Sequence, residues 1–176
     1  MSGHNKWSKI KNRKAVTDAR KSKIFTKMVR LLTVEAKKAK GNVDSPGLRT
    51  AIEKAKSVNV PNENIERAVK KATDNTAGEM EAVTYEAYGP GGVAIIIEGL
   101  TDNRNKAAAE VKHILSKHGS TLAATGSASW AFEKNREGWT PKTTAPISEE
   151  DFGKLEALVE ELEDNDEVQE VFTNAE

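Results

Sequence analysis

The sequence predicts two structural classes in succession: a helical N-terminal domain over residues 1–78, then a small ferredoxin-like α/β sandwich of class α+β over residues 79–176. Three observations carry this division. Apolar residues recur at helical spacing up to about Ala72, and short strand-like runs begin at Val83. A polar stretch from Thr73 to Glu81, containing Gly78, separates the two regimes. The sign of the charge inverts at the same place. Residues 1–78 hold 19 Lys and Arg against 7 Asp and Glu, a net of +12, whereas residues 79–176 hold 8 against 20, a net of −12.

Each element follows from its local pattern. Residues 1–15 (MSGHNKWSKIKNRKA) show no clean apolar period and read as a basic, partly helical arm. Thr17 and Asp18 supply cap-type residues for a long helix ending near Gly41. Ile24, Phe25, Met28, Leu31 and Leu32 share one face of it. Arg20, Lys23, Lys27, Arg30 and Lys37 form a second stripe roughly 140° away, so one face packs and the other is expected to point cations outward. A second helix starts at Ser45-Pro46, a cap followed by a first-turn proline, with Leu48, Ile52 and Ala55 inward. A third starts around Pro61, with Ile65, Ala68, Val69 and Ala72 inward.

In the second half, Val83 to Tyr88 reads as a strand, Gly89 to Gly92 as a turn, and Val93 to Leu100 as a buried strand. Thr101, Asp102 and Asn103 can cap a helix carrying Ala107, Ala108, Val111, Ile114 and Leu115, with Gly119 as its end signal. Ala128, Trp130 and Phe132 alternate as a half-buried strand would. A loop holding Pro141 and Pro146 leads to Ser148, which with Asp151 approximates a capping box. The last helix presents Phe152, Leu155, Leu158, Val159 and Leu162, and Val168 to Thr173 closes as a strand. The order ββαβαβ fits helices on one face of an antiparallel sheet.

The composition narrows the function classes. No apolar run approaches the ~20 residues of a membrane span, and the basic N-terminus lacks the apolar stretch of a secretory signal. Without cysteine there are no disulfides, thiolate metal sites or cysteine nucleophiles, and a cytoplasmic location is expected. Three histidines and carboxylates clustered on the last helix give catalysis little support, so no enzyme activity, cofactor or metal is expected.

The first 40 residues carry 13 basic and 2 acidic groups, which points to a polyanion. Phosphate contacts dominate nucleic-acid affinity, and the candidate contacts are Lys6, Lys9, Lys11, Arg13, Lys14, Arg20, Lys23, Lys27 and Arg30. The bland alternative is a solvated charged face. Trp7, among these cations, suits stacking on a base or anchoring the arm to the helical core. His4 stands alone and reads as structural or as a phosphate contact. GPGG lacks the spacing and lysine of a P-loop and reads as a tight turn. TDNRN, at a helix start, reads equally as an anion site and as a cap with Arg104 on the surface.

These residues resemble a known family. GHNKWSKIKNRKA, SKIFTK, NIERAVKKAT, YEAYGPGGVAI, LTDNRNKAAAEVKHILSKHG, GSASWAFEK and LEDNDEVQEVFTN are similar, in order, to motifs of the YebC family, which includes the mitochondrial translational activator of cytochrome c oxidase. The resemblance covers nearly the whole chain except about residues 135–147. It implies a helical lobe and two α/β lobes, one inserted within the other. It also implies a DNA-binding transcriptional regulator or a ribosome-associated translation factor. Two departures stand out. After Lys134 the segment NREGWTPKTTAP runs straight into the closing helix, so the inserted lobe is missing, and Ala123 stands where the family usually has glycine. The start at MSGH resembles a bacterial rather than an organellar member.

The expectation is thus a monomer that binds nucleic acid, either DNA or ribosomal RNA with the ribosome as partner. The competing class is a protein-interaction module whose charged halves pair with each other or with a partner.

Overall fold

The computed structural model describes residues 18–74, 79–136 and 138–176. They fall into two compact units, divided between Glu81 and Ala82.

The first unit is helical: α1 (Asp18–Lys38), α2 (Pro46–Ser57) and α3 (Asn62–Thr73). Its core joins Leu32 and Ala36 of α1 to Leu48, Ala51 and Ala55 of α2 and to Ile65, Ala68 and Ala72 of α3. Alanine dominates, so the helices pack closely and leave little room for larger groups. At Gly47 an added Cβ would strike the carboxylate of Glu35 on α1. Helix α1 stops where Gly41, at φ +80°, returns its N–H to the Ala36 carbonyl at 2.9 Å. Pro46 occupies the first turn of α2, but the Ser45 side chain makes no capping bond there.

The second unit contains β1 (Glu81–Tyr88), β2 (Ala94–Thr101), α4 (Arg104–Lys117), β3 (Thr121–Ala123), β4 (Phe132–Asn135), β5 (Gly138–Pro141), α5 (Glu149–Asp164) and β6 (Val168–Thr173). The main sheet has the order β3-β1-β2-β6, and β4-β5 forms a separate antiparallel pair. Strand β2 is apolar except for Glu98 and Thr101 because both of its faces are covered. Ile95 and Ile97 meet Val111, Leu115, Leu155, Leu158 and Leu162 of the two helices, while Ala94 and Ile96 meet Phe132, Ala131 and Phe172. This is the expected α/β sandwich, with a hairpin packed on the face away from the helices.

Two readings of the second half need correction. The alternation at Ala128, Trp130 and Phe132 is not one strand. Ser129–Ala131 is a 3-10 turn, and β4 begins only at Phe132. The reason is Glu86 of β1, whose carboxylate accepts the backbone N–H groups of Gly126 (2.7 Å), Ala128 (3.0 Å) and Ser129 (2.6 Å) and so curls this segment. The segment from Asn135 to Ile147, expected as an open loop, contains β5. Gly138 at φ +130° lies so close to Phe172 that a Cβ would strike its ring. Trp139 packs against the Ala94–Phe172 cluster. Beyond it, Asn174 accepts from the Ala94 N–H at 2.8 Å and donates to the Thr143 carbonyl at 2.9 Å, which fastens the remainder.

Candidate nucleic-acid interface

Lys6, Trp7, Lys9, Lys11, Arg13 and Lys14 lie outside the described residues, as does His4. The remaining candidates are on α1. Lys23 is exposed, and Arg20 and Arg30 are half-buried. Lys27 is only 8% exposed, so the expected outward row of cations is broken there. The same side of the helix is covered one heptad further on. Val34 is about 20° from Lys27 around the helix, by the rotation per residue of an α-helix, and it too is buried, at 7% exposure. Two buried residues, Lys27 and Val34, thus mark this sector as a covered one, apart from the apolar core that joins the three helices. The stripe therefore presents Arg20, Lys23 and Arg30 on either side of a covered strip.

Sequence reasoning placed Lys37 on the stripe but overlooked the other members of a second set of cations. Each helix ends in a lysine pair: Lys37 and Lys38 on α1, Lys54 and Lys56 on α2, Lys70 and Lys71 on α3. Cations at helix C-termini are favoured by the unpaired carbonyls there, which is the local reason for the pattern. Lys56 and Lys70 flank a groove of about 550 Å³ floored by Ile52, Ile65 and Val69, and exposed Val43 stands at its side. Of these six lysines, Lys56 and Lys70 line the groove.

Some cations are engaged locally. Arg49 pairs with Glu53 at 3.9 Å and Arg67 with Glu63 at 3.2 Å, both exposed pairs of small energetic worth, and Lys38 pairs with half-buried Glu35 at 3.5 Å. Lys21, Lys37, Lys40, Lys56 and Lys70 form no salt bridge among the described residues.

In the second unit TDNRN, left open between two readings, builds a helix cap, and GPGG is the tight turn expected. In TDNRN, the Asn103 side chain accepts from the Lys106 N–H at 3.1 Å, and the Thr101 hydroxyl exchanges two 2.9 Å bonds with the backbone of Asn103. The motif builds the N-cap of α4, and Lys106 reaches buried Glu167 at 3.4 Å. In GPGG, the N–H groups of Gly89 and Gly92 close the turn onto Val93 and Gly89, so they do not form a phosphate cradle. No described helix is long and apolar enough to cross a membrane.

Comparisons with known proteins place this geometry among relatives. The TACO1/YebC protein N-terminal domain matches residues 5–75. The TACO1/YebC second and third domain matches in two pieces, 80–137 and 135–175, which meet where β4 turns into β5. A probable transcriptional regulatory protein of Petrotoga mobilis is 47% identical over 176 residues, covering 98% of this chain and 70% of the relative. One from Thermoanaerobacter pseudethanolicus is 37% identical over 239 aligned positions, covering 100% of this chain and 97% of the relative. That alignment is longer than the chain, so the relative carries residues with no counterpart here. A crystal structure of a conserved hypothetical protein from Aquifex aeolicus is similar at a TM-score of 0.78 and 33% identity, over 90% of this chain and 91% of that one.

Proposed function

The chain belongs to the TACO1/YebC family, and from that membership we propose that it regulates gene expression by binding nucleic acid through its basic helical unit. One observation carries the proposal. Residues 18–74 hold 14 Lys and Arg against 7 Asp and Glu, and five of those cations have no salt-bridge partner among the described residues. Each phosphate neutralised by such a group releases counterions, so a surface of this kind supplies affinity without sequence preference. The names of the relatives, probable transcriptional regulatory proteins, support a regulatory role.

The preferred target is irregular RNA, with the ribosome as its setting. Groove-reading proteins place the residues at one helix N-terminus against base edges. Here the lysine pairs sit instead at the C-terminal ends of all three helices and suit backbone contacts. The chain acts as a cytoplasmic monomer in this reading, with no catalytic step. Sedimentation of lysate at physiological salt tests it. The protein should travel with ribosomes, association with nucleoid DNA would transfer the role to transcription, and association with neither would refute the proposal.

A further inference from the structure

The α/β unit carries an exposed aromatic pair that the charge-based reading does not use. Trp130 is 56% exposed and Tyr88 38%. The Trp130 indole N–H donates to the Tyr88 hydroxyl at 3.0 Å, and that hydroxyl donates to the Ser127 carbonyl. The turn bearing Trp130 is held by the three backbone bonds to Glu86. Every polar hydrogen of the pair is therefore satisfied internally, in a segment tied to β1. What remains for a partner is ring surface.

We propose that Tyr88 and Trp130 form a stacking platform for an unpaired nucleobase, a second contact that rests on the nucleic-acid reading above. The chemistry favours a base over a protein surface. Among the described residues the exposed large hydrophobics are Val43, Tyr88 and Trp130, so the two rings are the large apolar groups that the described part of this unit exposes. A protein interface generally needs a far larger apolar centre. An aromatic ring with cations nearby suffices for one base.

The charge along the second half of the sequence is uneven. Residues 149–176 hold 1 basic and 12 acidic groups, while residues 120–147 hold 3 basic and 2 acidic. Lys142 is exposed, and its backbone N–H is bonded to the carbonyl of Ala131, next to Trp130, at 2.7 Å. An exposed cation, Lys142, thus sits on a segment bonded to the Trp130 turn, and the Glu86 carboxylate beneath that turn is taken up by three backbone N–H groups.

The test uses the full chain with two twelve-nucleotide probes of equal charge, oligothymidylate and an abasic backbone of the same length. The wild-type protein should bind oligothymidylate about five- to tenfold more tightly, in line with stacking of a single base. Trp130→Ala should abolish that ratio without changing the salt dependence, and Trp130→Phe should retain most of it. A ratio unaffected by Trp130→Ala would overturn the platform and leave the electrostatic reading intact; a protein partner for the rings would then be the alternative. Failure of the wild type to bind either probe at low salt would overturn both.

Discussion

The indole N–H of Trp139 on β5 donates to Glu98 of β2 across 2.7 Å, tying the hairpin to the central strand of the sheet. Glu98 also accepts from the Thr84 hydroxyl at 3.1 Å, and Lys134 stands over the indole ring at 5.2 Å from its centre. These contacts occupy the stretch where the family resemblance places an inserted lobe. A short hairpin closes the second face of the sheet here.

Trp139→Ala removes a half-buried ring and leaves Glu98 with one donor fewer. A cost of about 2 kcal/mol is expected, below the 3–5 kcal/mol of a fully buried aromatic. Residues 79–176 expressed alone should still unfold in one cooperative transition, as small single domains do. Urea melts followed by circular dichroism give both results. A broad, non-cooperative melt with strong dye binding would mean that the hairpin does not complete the core.

Lys27 and Lys23 lie four residues apart on α1 and should behave differently. Lys23→Gln is expected to weaken nucleic-acid binding with a stability change within about 0.5 kcal/mol, as for other exposed positions. Lys27→Gln alters a buried charged group and should destabilise by about 1–3 kcal/mol. Thermal melts beside binding isotherms separate the two effects. If the charged halves of the chain paired with each other, Lys23→Gln would instead alter compactness in scattering and leave nucleic-acid affinity unchanged.

Glu86 gives a pH signature. Burial pushes its carboxyl up, but the N–H groups of Gly126, Ser129 and Ala128 outweigh that and hold it below the ordinary carboxylate value of 4.5. A folded pKa below the unfolded one means that the stabilisation is complete above about pH 4.5. It is lost as pH falls through the lower, folded value. Glu86→Gln should therefore cost about 2 kcal/mol at pH 7, the range of hydrogen bonds to a charged group. The gap from wild type should narrow in acid. Glu161, lowered by hydrogen bonds from Lys117 and His118, moves in the same direction and is common to both proteins. A gap independent of pH would contradict the ionised clamp.

The helices and most strands were legible because their signals are local. Pro46, Gly41 and the Ser148–Asp151 bond mark ends by backbone chemistry that a few residues determine. The segment around Trp130 was not legible, since its curl depends on Glu86, some forty residues earlier in the chain. Its apolar alternation mimicked a strand. The hairpin strand β5 was hidden for a similar reason: a proline-bearing polar run reads as loop unless its partner β4 and the Phe172 ring are known. On the interface, helical spacing gave the angle of the basic stripe, but Val34 on the same side was passed over, and with it the burial of Lys27.

The central claim, that the basic helical unit supplies the affinity, is tested most directly by the salt dependence of binding by residues 1–78 and by the full chain. With about 4–6 phosphates engaged, log K should fall against log salt with a slope near −3 to −5 for both. The fragment should bind at least as tightly as the whole chain, because removing residues 79–176 deletes a net charge of −12. A fragment that does not bind, or an affinity indifferent to salt, would contradict the account.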